Sequence, residues 1–191
     1  MRRSGSRLER PRRTQMRVES ARLWPMLLAM RFNRRMGRYL EDLRSREVDA
    51  VVPPRTVDVQ IVEAGGCFLL RGFVSNPHLS PADFPDRTRL ECSANRLRME
   101  SMLETRMVRS CPLLLLTAGL LTARAVSTAL SRYPGRFNVI LSYDGESCAV
   151  RFHKIRARQR WLAEDLEEYV DEGVLVFEAG SEAPFPAMLS S

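Results

Sequence analysis

RFNVILSYDGESCAVRFH, residues 136–153, reads as two strands and the turn between them. Phe137, Val139 and Leu141 alternate along one face, Asp144-Gly145 supplies a favoured tight hairpin turn, and Cys148, Val150 and Phe152 alternate back. A hairpin with one apolar face needs a cover. The chain provides it immediately upstream in CPLLLLTAGLLTA, residues 111–123, which is apolar nearly all round. Ser110 followed by Pro112 gives a helix start and SRYPGR at 131–136 contains a stop, so the pattern predicts a helix from about 112 to 132. Such a helix belongs in the middle of a domain, with sheet against it. Its apolar run meets Arg124 well short of the roughly 20 residues that a membrane span needs, so a buried helix is expected and no membrane partner.

Downstream of the hairpin, leucines 162 and 166 with Tyr169 and Val170 fall at helical spacing and predict a short helix over 161–170, followed by a strand in GVLVFE, residues 173–178. Upstream, TVDVQIV alternates Val57, Val59 and Ile61, EAGG supplies a turn, and CFLLRGFV reads as a returning strand, which makes a second hairpin over 57–74. The three prolines of SNPHLSPADFPD, residues 75–86, require a loop. RTRLEC, residues 87–92, suggests a strand, and SANRLRMESML, residues 93–103, fits strand and helix equally. From Pro25 to about residue 47 the pattern is that of a basic amphipathic helix. Phe32, Met36, Tyr39, Leu40 and Leu43 form its apolar stripe, and Arg31, Arg34, Arg35 and Arg38 form another.

Hairpins separated by helices predict an α+β fold, with a mostly antiparallel sheet built from the two hairpins and covered by the long apolar helix. At 191 residues the chain is expected to hold one domain, residues 16–180. Before it, residues 1–15 lack apolar periodicity and read as a disordered basic tail; after it, residues 181–191 read as a frayed end.

The net charge of +7 is unevenly placed. Residues 1–46 carry 14 arginines against four acids, while the remainder carries 16 basic and 19 acidic residues. Nucleic-acid binding is therefore expected only of the N-terminal arm, through Arg31, Arg34, Arg35 and Arg38, because a slightly acidic body gains little from phosphate contacts over most of its surface. Lys154 is the only lysine among the 30 basic residues, a bias across the whole chain that fits a G+C-rich bacterial coding sequence. Four separated cysteines (Cys67, Cys92, Cys111 and Cys148) show neither CxxC nor a nearby His at ligand spacing, so no metal is expected. Reduced thiols and the lack of a convincing signal peptide predict a cytoplasmic protein.

The densest charge lies in RFHKIRARQRWLAEDLEEY, residues 151–169. On the expected helix Glu164, Asp165, Glu168, Asp171 and Glu172 face outward or lie near its ends, and Trp161 stands at its start as a candidate anchor. No motif for nucleophilic catalysis, zinc hydrolysis or phosphate cradling is present, and no cofactor is expected. His153 beside Arg151, Lys154 and Arg156 is the one setting that suits phosphate chemistry, and it needs a further carboxylate or base brought close by folding. A non-enzymatic protein-interaction module is the expected function, of immunity or antitoxin-like kind. In that reading Trp161, Glu164, Asp165, Glu168, Asp171 and Glu172 cover a basic protein partner, with nucleic-acid binding by the arm as the alternative.

Overall fold

A computed structural model of the chain describes residues 30–45, 59–74 and 81–180. The expectations for the two tails, for Pro25 and Val57, and for the first half of the loop at 75–86 lie outside the described residues. The fold is α+β. A five-stranded antiparallel sheet runs in the order β1 (Arg31–Phe32), β7 (Gly173–Ala179), β5 (Phe137–Tyr143), β6 (Cys148–Lys154) and β4 (Leu97–Arg98). A separate two-stranded sheet pairs β2 (Ile61–Ala64) with β3 (Cys67–Leu70). The first hairpin is therefore real but stands apart from the main sheet. Its turn is Gly65-Gly66, both at positive φ, as a two-residue hairpin turn requires.

Strand alternation divides the main sheet into two chemically different faces. Val139, Leu141, Val150, Phe152, Leu175 and Phe177 lie on one and belong to the main core. Helix α5 (Leu113–Leu130) covers this face through Leu116, Ala123, Val126 and Leu130 among others. By length and hydropathy α5 could cross a membrane, but 67% of it is buried inside the fold, which accounts for its apolar composition. Gly119 lets helix and sheet approach closely: a Cβ there would stand 2.5 Å from Cys148 Sγ and 3.0 Å from Leu141 Cδ1.

The opposite face is covered by α3 (Arg87–Ala94) on the β6 side and by the irregular segment 155–172 on the β7 side. RTRLEC is thus helical and not a strand. Asp86 caps α3 by accepting the Arg89 N–H at 2.8 Å; Thr88 and Glu91 are fully buried in the helix beside Leu90, Cys92 and Ala94, and so is Asn95 at its C-terminal cap. The seam is made of satisfied polar groups where a periodicity search expects apolar ones. Asn95 accepts from Leu70 N–H and donates to the carbonyls of Phe68 and Phe152, while Glu91 accepts from the N–H groups of Phe68 and Lys154. These bonds fasten the small hairpin to β6. Phe68 completes the attachment, edge-on to Phe137 and Tyr133 at ring distances of 4.9 and 5.5 Å.

The N-terminal helix α1 spans Arg34–Ser45, with Met36 and Leu40 buried, and Arg31 and Phe32 pair with β7 instead of continuing it backward. Asn33 makes the break. Its carboxamide oxygen accepts the N–H groups of Met36 and Val174, its amide donates to the carbonyls of Tyr169 and Glu172, and its own N–H bonds Val174. One side chain therefore caps α1 and holds the end of segment 155–172.

The helix expected over 161–170 is absent. A single 3-10 turn, Leu166–Glu168, forms behind Asp165, whose side chain accepts the Glu167 N–H. The carbonyls of Glu164, Tyr169, Val170 and Glu172 are instead bound by the side chains of Arg31, Asn33 and Arg35. Six carboxylates between 164 and 172 would also repel one another at helical spacing.

Candidate functional site

Cross-strand register places the side chains of the second face in rows. Val174, Ser142, Ala149 and Arg98 form one row, and Val176, Ile140 and Arg151 form the next. All of these but Val176 line the floor of a cleft of about 860 Å³. Arg89 of α3 and Arg96 rise on the β4 side, while Trp161, Leu162, Tyr169 and Glu172 come from segment 155–172. That segment is 18 residues of almost wholly irregular chain inside a compact fold, the kind of loop usually kept for function. Backbone and side-chain bonds hold it: Gln159 accepts the N–H and hydroxyl of Thr88, and Tyr169 accepts the Ala163 N–H with its hydroxyl oxygen.

The cleft is cationic on one side. Arg89, Arg96, Arg98 and Arg151 all line it, and among the described residues none of the four enters an ion pair. Arg151 is half-buried, its guanidinium 5.9 Å from the centre of the Trp161 ring. Burial first, and then the neighbouring Arg96, pull its pKa below the ordinary arginine value, although an arginine stays charged at neutral pH. Two of the three carboxylates in the cleft are already committed. Glu100 accepts the Cys148 N–H at 2.5 Å, and Asp144 accepts from Glu146 N–H, Ser147 N–H and the Ser147 hydroxyl within the hairpin turn. Glu172 remains.

The arrangement suits recognition of negative charge by planar, multi-donor groups over an apolar floor. The basic groups around His153 are, by contrast, not one cluster. His153 is 2% exposed, donates through Nδ1 to the Lys154 carbonyl, and faces Asn138 with Nε2. Burial pushes its pKa down, so it is neutral at pH 7. Arg156 turns away to a bidentate pair with fully buried Glu91, at 2.7 and 2.8 Å, and to the Gly66 carbonyl. Lys154 places its ammonium over the Phe68 ring at 4.9 Å. Only Arg151 of that set reaches the cleft.

Of the acidic residues singled out from sequence, Glu164, Asp165, Glu168 and Asp171 are exposed, while Glu172 lines the cleft with Trp161. Glu164 pairs with Arg160 at 2.9 Å, and Glu167 accepts the Arg34 N–H at 3.0 Å. The arginines of the expected nucleic-acid stripe meet this segment: Arg31 and Arg35 donate to its carbonyls, Arg34 lies 3.9 Å from Glu167, and Arg38 is exposed. Arg89, Arg96 and Arg98 were not legible as site residues. The available signals were the Arg-x-Arg spacing at 96–98 and the position of Arg151 in the polar phase of its strand.

Fold and cleft together define an α+β domain with a five-stranded main sheet, a separate two-stranded sheet and, among the described residues, an arginine-lined concave face. Residues 31–185 match the Uncharacterized protein PM0498 family, and the chain belongs to that family. No curated protein and no solved structure matches it.

Proposed function

We propose that the protein is a non-catalytic binding module whose working surface is the arginine-lined cleft, and that what it receives there is anionic. One observation carries this reading: four guanidiniums from α3, β4, β6 and the α3–β4 link converge on one concavity with no ion-pair partner among the described residues. Like charges held together in this way repel, and an anion relieves the repulsion while meeting planar donors. The size of the cleft supports a ligand or a short partner segment. Calorimetric titration of the full chain with inorganic pyrophosphate tests it. Binding weakened about tenfold or more by Arg98→Gln or Arg151→Met, and unaffected by Arg38→Gln, is expected for charge-assisted contacts. Absence of binding, or equal weakening by all three substitutions, contradicts the proposal.

A second reading is supported by Glu168 and Asp171, which are exposed and enter no ion pair among the described residues. In it the acidic edge, with Glu164 and Asp165, covers a basic protein partner in the manner of an immunity or antitoxin-like protein. Co-purification from the native host, repeated with Glu168→Lys and Asp171→Lys together, separates the two readings: a partner lost on charge reversal favours the acidic edge. Nucleic-acid binding by the N-terminal stripe has less to work with, since Arg31, Arg34 and Arg35 already hold segment 155–172.

A further inference from the structure

The cleft is not uniformly cationic, and its polarity narrows the ligand class. Its volume of about 860 Å³ far exceeds what an isolated phosphate or sulfate fills. Arg96 and Arg98 stand on the β4 side. Across the floor stand Trp161 and Leu162, part of a small apolar cluster with Ile140, Val174 and Val176. Ser142 lies between the two sides in the row that joins Arg98 to Val174, and Glu172 adds an acceptor beside the apolar wall. A ligand matched to this layout is anionic at one end, flat and apolar-faced at the other, and carries donors near the flat end.

Resting on the anion-binding reading above, we infer that the cleft takes a nucleoside phosphate, with the phosphates on Arg96 and Arg98 and the base against Trp161 and the neighbouring Arg151 guanidinium. Bases stack on aromatic rings irrespective of their identity, and a guanidinium beside the ring extends the platform. Glu172 accepts from a ribose hydroxyl or an exocyclic amine, and it disfavours an acidic peptide, which would bring carboxylates to both ends.

Fluorescence of the full-length Trp24→Phe protein tests this, because Trp161 is then the only tryptophan. ATP is expected to quench Trp161 and to bind about tenfold more tightly than inorganic pyrophosphate, the added affinity being that of a stacked base. Read by calorimetry, Trp161→Leu should remove that advantage while leaving pyrophosphate affinity unchanged, and Arg98→Gln, at an exposed position, should weaken both ligands. Equal affinities for ATP and pyrophosphate overturn the nucleoside inference and leave the anion-binding reading standing; failure of both to bind removes both. Tighter binding of a ten-residue oligothymidine than of ATP, or of hexaglutamate than of either phosphate ligand, also overturns it in favour of a polymer.

Discussion

Glu91 is fully buried and accepts four hydrogen bonds, two from backbone N–H groups and two from Arg156. Removing the arginine would leave a carboxylate in the interior with half its donors, and breaking one side of a buried pair costs about 3–5 kcal/mol. Arg156→Met should therefore lower unfolding stability by roughly that amount in urea melts, and a loss below about 1 kcal/mol would contradict the assignment. His153 makes stability depend on pH in the same direction as a carboxylate salt bridge, but in the pH window of an imidazole. Its pKa is depressed in the fold below the ordinary value of 6.5, so the unfolded chain binds the proton more tightly. Stability is complete above about pH 6.5 and falls as the pH drops below it. His153→Asn should flatten the part of the stability profile just below pH 6.5, and an unchanged slope there would count against a neutral buried imidazole. Neither role was legible from sequence, since both depend on neighbours brought from elsewhere in the chain. Glu91 lies in a stretch that reads as a strand, and a strand-end histidine reads as a polar edge residue.

At the scale of elements, the 136–153 hairpin, the long helix and the last strand were legible because each has a strong internal pattern. α3 was not, because Thr88 and Glu91 stand among its buried residues beside Leu90, Cys92 and Ala94 and break the apolar periodicity. The 161–170 helix failed for a different reason: its leucine and tyrosine spacing is genuine, but side chains from β1, α1 and the residue between them hold the carbonyls of Glu164, Tyr169, Val170 and Glu172 in the irregular path, and that of Glu164 is one a helix would use. Asn33 is the centre of that capture. Asn33→Ala removes the cap and strands buried groups on both segments, each worth about 1–3 kcal/mol, so a loss of at least about 2 kcal/mol is expected. Hydrogen exchange should show 164–172 opening before the sheet; uniform protection across both would contradict the linkage. On the other face, Gly119→Ala sets two effects against each other. Helix propensity favours alanine by about 1 kcal/mol, but the new methyl meets Cys148 Sγ at 2.5 Å, and overpacking costs about 1–3 kcal/mol. A net loss is expected, with recovery when Cys148→Ala is added. A stabilised single variant would mean that α5 can move away from β6 freely.

The whole molecule distributes charge differently from the sequence. Along the chain, positive charge concentrates in the first quarter and acid near the end, which suggests an arm and a ridge that face separate partners. Folding brings parts of these two regions together, as Arg31, Arg34 and Arg35 meet 164–170, and it assembles a second cationic group from α3, β4, β6 and the α3–β4 link. The three long strands of the sheet were legible in sequence, but this convergence was not, because it depends on strand order and on which face each residue takes. The most direct test follows the arginines themselves. In a two-dimensional NMR titration of the side-chain Nε–H groups with pyrophosphate, the account predicts saturable shifts at Arg96, Arg98, Arg151 and Arg89, with Arg34, Arg35 and Arg38 unmoved. Shifts confined to Arg34, Arg35 and Arg38, or spread evenly over both sets without saturation, would contradict it.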